Sequence, residues 1–226
     1  MEFTIFGHDL QVVDIRLKSG ETVYSESGGM AWMSDNISMK TEMKGGLMGG
    51  LKRKLMGESL MLTDYTCQGA EGLVAFASEF PGKLVPMTLA AGQVMICQKD
   101  SFMCAEAGVQ LEMHFNKRLG AGLFGGEGFI LQKVTGPGQV FFELAGHIVE
   151  YTLVAGQRLK VDPGYLALME PSVQFDIEMV KGVKNILFGG EGLFLASVTG
   201  PGKVWLQSMP LPNFAGRLIP YLPSKG

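Results

Sequence analysis

Twenty residues of this chain occur twice. Leu123 to Phe142 reads LFGGEGFILQKVTGPGQVFF and Leu187 to Leu206 reads LFGGEGLFLASVTGPGKVWL, a shift of 64 positions with 13 of 20 residues identical. A fixed period of this length means that one supersecondary unit is copied along the chain, each copy burying its apolar face against its neighbour. The repeat constrains architecture more than chemistry, because packing rules must be met in every copy whereas a catalytic site is needed once.

The period reaches beyond the motif. At the same shift Leu89, Ala91, Gly92 and Gln93 fall on Leu153, Ala155, Gly156 and Gln157, Gly82 falls on Gly146, and VQLEM at 109–113 falls on VQFDI at 173–177. With a shift of 72, Gly20 falls on Gly92 and ISMKTEM from Ile37 falls on VQLEMHF from Val109, which marks a more diverged copy at the N-terminal side. Its eight extra residues are expected in the Gly-rich, basic stretch Lys44 to Lys54, just before Leu55, Met56, Gly57 and Glu58, a worn version of LFGGEG. The domain reading is one compact chain of three pseudo-repeats, about 10–80, 81–145 and 146–210, with 211–226 as a C-terminal tail.

Hydrophobic periodicity predicts an all-β chain. Val173, Phe175, Ile177 and Met179 alternate with Gln174, Asp176 and Glu178; Val109, Leu111, Met113 and Phe115 alternate in the same way, as do Ile37, Met39, Thr41 and Met43. A period of two places one face of each strand on a core and the other in water, the pattern of half-buried antiparallel sheet, so Met39 and Met43 are expected on the buried side. Shorter apolar runs such as 139–144 and 165–169 are punctuated by Gly136-Pro137-Gly138 and Asp162-Pro163-Gly164. Short strands with frequent turns indicate a sandwich or barrel, and no long helical pattern is present.

The chain has 226 residues, 46% of them hydrophobic, enough for a substantial core and with no apolar run long enough for an ordinary transmembrane helix. MEFTIFGHDL lacks the basic start and apolar stretch of a signal peptide, so a cytoplasmic protein is expected. A net charge of −3 gives no overall pull towards nucleic acid. Cys67, Cys97 and Cys104 are odd in number without CxxC spacing, which reads as buried thiols, not a disulfide framework or a zinc site.

The repeated polar residues offer no catalytic set. Glu58, Glu127 and Glu191 stand beside glycines where a carboxylate commonly accepts turn N–H groups. The GPG turns lack the spacing of a phosphate-binding loop. His8, His114 and His147 are too scattered for a metal-ligand pair, and no nucleophile elbow is present. No catalytic residue, metal site or cofactor is therefore assigned. The stretch around Lys44, Lys52, Arg53 and Lys54 is different: four cations flank GGLMGGL, a combination suited to an anionic membrane surface or an acidic partner, against the plainer reading of a solvated loop.

The motifs in order, GLKRKLMGES, GLVAFAS, PGK, LFGGEGF, TGPGQVFFELAG, LVAGQRLKVDPGYLALM and GEGLFLASVTGPGKVWLQS, resemble the bacterial and archaeal relatives of the mitochondrial protein altered inheritance of mitochondria 24, from about Gly20 to Ser208. The resemblance implies a fold like the tryptophan RNA-binding attenuator protein, a short double-stranded β-helix or sandwich that forms rings, here repeated within one chain and trimerised. It carries no catalytic residues over. The mitochondrial relative's role in inner-membrane organisation is not transferred, since its targeting sequence has no counterpart here. The function expected is a non-catalytic homo-oligomeric scaffold or interaction protein, peripheral to a membrane through the basic loop. The alternatives are a small-molecule or RNA binder by fold analogy, for which one basic cluster is weak support, and an enzyme with an intersubunit site.

Overall fold

The computed structural model describes residues 1–26, 28–43, 60–117, 128–179, 194–218 and 221. The N-terminal strands are β1 (Glu2–Phe6), β2 (Val12–Lys18), β3 (Thr22–Glu26), β4 (Met30–Met33), β5 (Ile37–Met43), β6 (Met61–Cys67) and β7 (Glu71–Ala77). Then follow β8 (Gly82–Leu89), β9 (Val94–Gln98), β10 (Phe102–Glu106), β11 (Gln110–Lys117), β12 (Phe129–Thr135) and β13 (Gly138–Ala145). The last strands are β14 (Ile148–Leu153), β15 (Arg158–Val161), β16 (Leu166–Met169), β17 (Gln174–Met179), β18 (Phe194–Thr199) and β19 (Gly202–Gln207), followed by helix α1 (Leu211–Leu218). Single helical turns at Lys99–Ser101 and Pro163–Tyr165 join β9 to β10 and β15 to β16. The fold is all-β, as the alternating pattern requires.

The strands form four antiparallel sheets with the orders β1-β2-β7-β4, β5-β6-β3-β10-β13-β8, β11-β12-β9-β16-β19-β14 and β15-β18-β17, and none closes into a barrel. Three apolar clusters lie between successive sheets. Val13, Ile15, Val74, Phe76 and Phe141 fill the first, Tyr24, Phe102, Phe142, Val140 and Leu168 the second, and Phe129, Leu131, Leu166, Val198 and Val204 the third. Neighbouring residues of one strand, Phe141 and Phe142, enter different clusters because successive side chains leave opposite faces.

The two six-stranded sheets are each assembled from two three-stranded halves. In the first, Ser25 and Tyr24 of β3 face Cys104 and Ala105 of β10; in the second, Cys97 and Ile96 of β9 face Leu168 and Met169 of β16. Each of β4, β10 and β16 carries a register shift, between Met30 and Trp32, Phe102 and Cys104, and Leu166 and Leu168. Such a bulge twists its strand where it runs from one pairing to the next.

The alternation is weaker at the sheet edges than the sequence implies. Ile37 is 5% exposed but Met39 is 50% exposed, against the expected burial, and Met179 is 65% exposed while Val173 and Ile177 are buried. β5, β11 and β17 are edge strands, each paired on one side only among the described strands, and cover over them is uneven: Phe115 of β11 packs against Phe175 at 5.1 Å while Met39 and Met179 lie largely in solvent. The segment read as a tail contains α1, and β1 lies ahead of the first expected repeat.

Candidate functional site

The Gly-Pro-Gly turns of the duplicated motif are used by the fold itself, while 123–127 and 187–192 lie outside the described residues. Gly136 N–H donates to Gln93 O at 2.9 Å and Gly92 N–H to Gly136 O at 3.3 Å; Gly200 and Gln157, with Gly156 and Gly200, repeat the pair at 2.9 and 3.2 Å. Gln93 Oε1 accepts Ala90 N–H and Gln157 Oε1 accepts Val154 N–H, both at 3.0 Å. Glu106 accepts Gln139 N–H at 2.6 Å and Glu170 accepts Lys203 N–H at 2.8 Å, tying the residue after each GPG. These turn amides point into the protein and are already bonded, so they cannot cradle a phosphate.

His8 lies 3.0 Å from Asp9 and is exposed, and His114 is held below the usual histidine range by burial and by the nearby Lys133 charge. Among the described residues no group of three or more His, Cys, Asp or Glu is placed to hold a metal ion. The three thiols are buried and free, and burial pushes Cys97 and Cys104 far from thiolate formation. Glu58, Glu127 and Glu191 lie outside the described residues, as do Lys44, Lys52, Arg53 and Lys54.

A cleft of about 150 Å³ opens beside the start of α1, where Glu26, Glu79, Lys99, Asp100, Glu143 and Leu211 meet. Four carboxyl groups against one amine make it unfavourable for phosphate. Glu143, 6% exposed, accepts Glu79 N–H at 2.8 Å and so fixes the linker between β7 and β8. Burial raises its carboxyl to about 7, opposed by the backbone N–H groups of Glu79 and Phe80. Gln207 does the corresponding work later in the chain, accepting Ala145 N–H at 3.0 Å and donating to Gly164 O at 2.9 Å. The sequence signal for Glu143 was present, a single acid in the apolar run VFFELA.

The remaining features are edges. β4 pairs with β7 on one side and β15 with β18, and neither has a second partner among the described strands. Trp32 of β4 is 49% exposed. Of the other sheet edges, β8 carries Pro86, which has no N–H to offer, and β1 covers β2. No described helix is long and apolar enough to cross a membrane.

This chain of stacked antiparallel sheets belongs to the family described as Mitochondrial biogenesis AIM24, which its residues 3–209 match. It is 29% identical over 233 residues to an uncharacterised protein of Streptococcus pyogenes serotype M6, covering 99% of this chain and 92% of that one. The crystal structure of a protein from Streptococcus pyogenes superposes with a TM-score of 0.79 at 27% identity, covering 98% of this chain and 99% of that chain.

Proposed function

We propose that the chain is a non-catalytic scaffold of three six-stranded units, β2–β7, β8–β13 and β14–β19, that joins head to tail with copies of itself, a trimer being the favoured assembly. The observation that supports this reading is the identity of the two internal junctions. Ser25 and Cys97 are 72 positions apart and Cys104 and Leu168 are 64 apart, so β3·β10 and β9·β16 meet in one register. Extended once more, the same register sets Val161 of β15 opposite Trp32 of a second copy's β4, and Lys160 opposite Met33. A sheet edge left open at each end of a chain whose internal edges pair this way is a template for its own kind.

Native mass spectrometry tests the subunit number. An engineered pair tests the register: facing residues in antiparallel strands bring their Cβ atoms to roughly 5 Å, close enough to bridge. Met33→Cys combined with Lys160→Cys is expected to give covalent multimers on oxidation, and each substitution alone is expected to give none. A double variant that stays monomeric sinks the junction.

The scaffold works in the cytoplasm or at the inner face of its membrane, and a membrane role for Lys44, Lys52, Arg53 and Lys54 belongs to the same reading. Replacing Lys52, Arg53 and Lys54 by alanine is expected to lower co-sedimentation with anionic liposomes, each charge supplying about 1 kcal/mol. The acidic cleft gives an RNA-binding reading no support.

A further inference from the structure

We infer that α1 is an in-plane anchor that lays Leu211, Phe214 and Leu218 on an anionic lipid surface. The three residues follow one another at spacings of three and four, which puts them on one face of a helix. They are 39%, 40% and 45% exposed, and no residue of the helix is buried. Tyr221, just beyond, is 86% exposed. Leu211 at the start of the stripe borders the acidic cleft, whereas Phe214 and Leu218 lie towards the end that carries Arg217, and an exposed apolar stripe beside a cation and an aromatic ring with a polar tip suits a membrane boundary.

The root of the helix is fixed. Pro210 is buried against Gly164, and Phe214 N–H donates to Pro210 O at 3.0 Å. Charge selects the occupant. After Glu191 the sequence contains Lys203, Arg217 and Lys225 and no acidic residue, in a chain whose net charge is −3. Lys203 is paired with Glu150 at 2.7 Å. Arg217, in the last helical turn beside the stripe, is exposed and can reach a lipid phosphate while Phe214 and Leu218 enter the acyl boundary. One such helix holds weakly, so firm retention on vesicles rests on the oligomer proposed above, whose copies present several helices together.

The test is flotation of the full chain with vesicles of phosphatidylcholine alone and of phosphatidylcholine mixed with phosphatidylglycerol, alongside light scattering. The wild-type chain is expected to float with the mixed vesicles and to be released by salt. Phe214→Ser with Leu218→Ser is expected to weaken partitioning about a hundredfold per chain, since two apolar side chains leave the boundary. Arg217→Glu is expected to abolish the preference for phosphatidylglycerol. Because these side chains are not buried, melting temperature and subunit number should not move. Failure of the wild-type chain to float overturns the proposal, as does a double variant that floats unchanged. A double variant that changes subunit number also overturns it, because the stripe is then a contact between copies. If instead the wild-type chain is monomeric, the assembly reading fails alone, and α1 is judged by weak partitioning of the monomer and its loss in the double variant.

Discussion

Glu143 and Gln207 do the same structural work with different chemistry. Each is almost fully buried and accepts a backbone N–H, Glu143 from Glu79 and Gln207 from Ala145, but only Glu143 can ionise there. Its carboxyl is raised from 4.5 to about 7 by burial, so the folded protein holds the proton more tightly than the unfolded chain. Stability from this group is full below about pH 4.5 and is lost as pH rises through about 7. Glu143→Gln keeps the acceptor oxygen and removes the titration. It is expected to flatten the pH dependence of urea midpoints across that window and to raise stability at pH 8 by roughly 2 kcal/mol. Glu143→Ala removes the acceptor as well and should lower stability by about 1–3 kcal/mol at low pH. A second comparison separates close packing from backbone freedom. A Cβ on Gly200 would lie 2.5 Å from Val154 O, whereas Gly156 at φ +77° has nothing within 4 Å of its Cβ position. Thermal unfolding of Gly200→Ala should show a loss of about 1–3 kcal/mol, arising from a clash with backbone that has no free rotation. Gly156→Ala should lose about 1–2 kcal/mol through left-handed strain alone.

The strands are where the sequence was most readable. Alternation located β5, β11 and β17, and Gly-Pro-Gly located the turns after β12 and β18, because a buried face and a tight turn each impose residue types locally. What period two could not show is how much cover an edge strand such as β5 receives: Met39, expected inside, lies half exposed. The eight extra residues of the first unit were also not readable as a single insertion. Thr66 and Thr135 take the same place opposite Thr22 and Val94, an offset of 69, and Phe76 and Phe142 take the same place opposite Met30 and Phe102, an offset of 66. With 72 before and 64 after, three residues enter between β5 and β6, three in the β6–β7 turn and two before β8. Pairing register carries this information, and letters do not. α1 escaped notice because eight residues with a Pro and a Gly make a weak helical pattern. The cover over β2 is a property of this same level. Phe3 of β1 stands edge-on to Phe141 at 4.9 Å, and all five residues of β1 pair with β2. Deleting residues 2–6 removes that contact and bares an edge with no proline to guard it. The expected result is a lower melting temperature and concentration-dependent association in light scattering, with wild-type behaviour as the opposing outcome.

At the scale of the whole molecule, β4 and β15 each have a partner on one side only among the described strands. Each internal junction completes a six-stranded sheet, while the end sheets have four strands and three. Joining β15 to a second copy's β4 would give one seven-stranded sheet, the six-stranded internal arrangement with β1 added at its edge, burying Trp32 and giving the exposed edge amides partners. A contact that is the same at every step is heterologous, so it either closes into a ring or grows without limit, and closure by three copies gives a ring of nine units. Trp32 is the residue to alter, since it is half exposed and its replacement leaves the three cores intact. Trp32→Glu would place a charge where the junction excludes water, and is expected to give a folded monomer by native mass spectrometry and light scattering. Assembly also links stability to concentration: the wild-type melting temperature should rise with protein concentration, and that of Trp32→Glu should not. A Trp32→Glu chain that keeps the wild-type subunit number and concentration dependence would place the contact elsewhere and leave the β4 and β15 edges without a role in assembly.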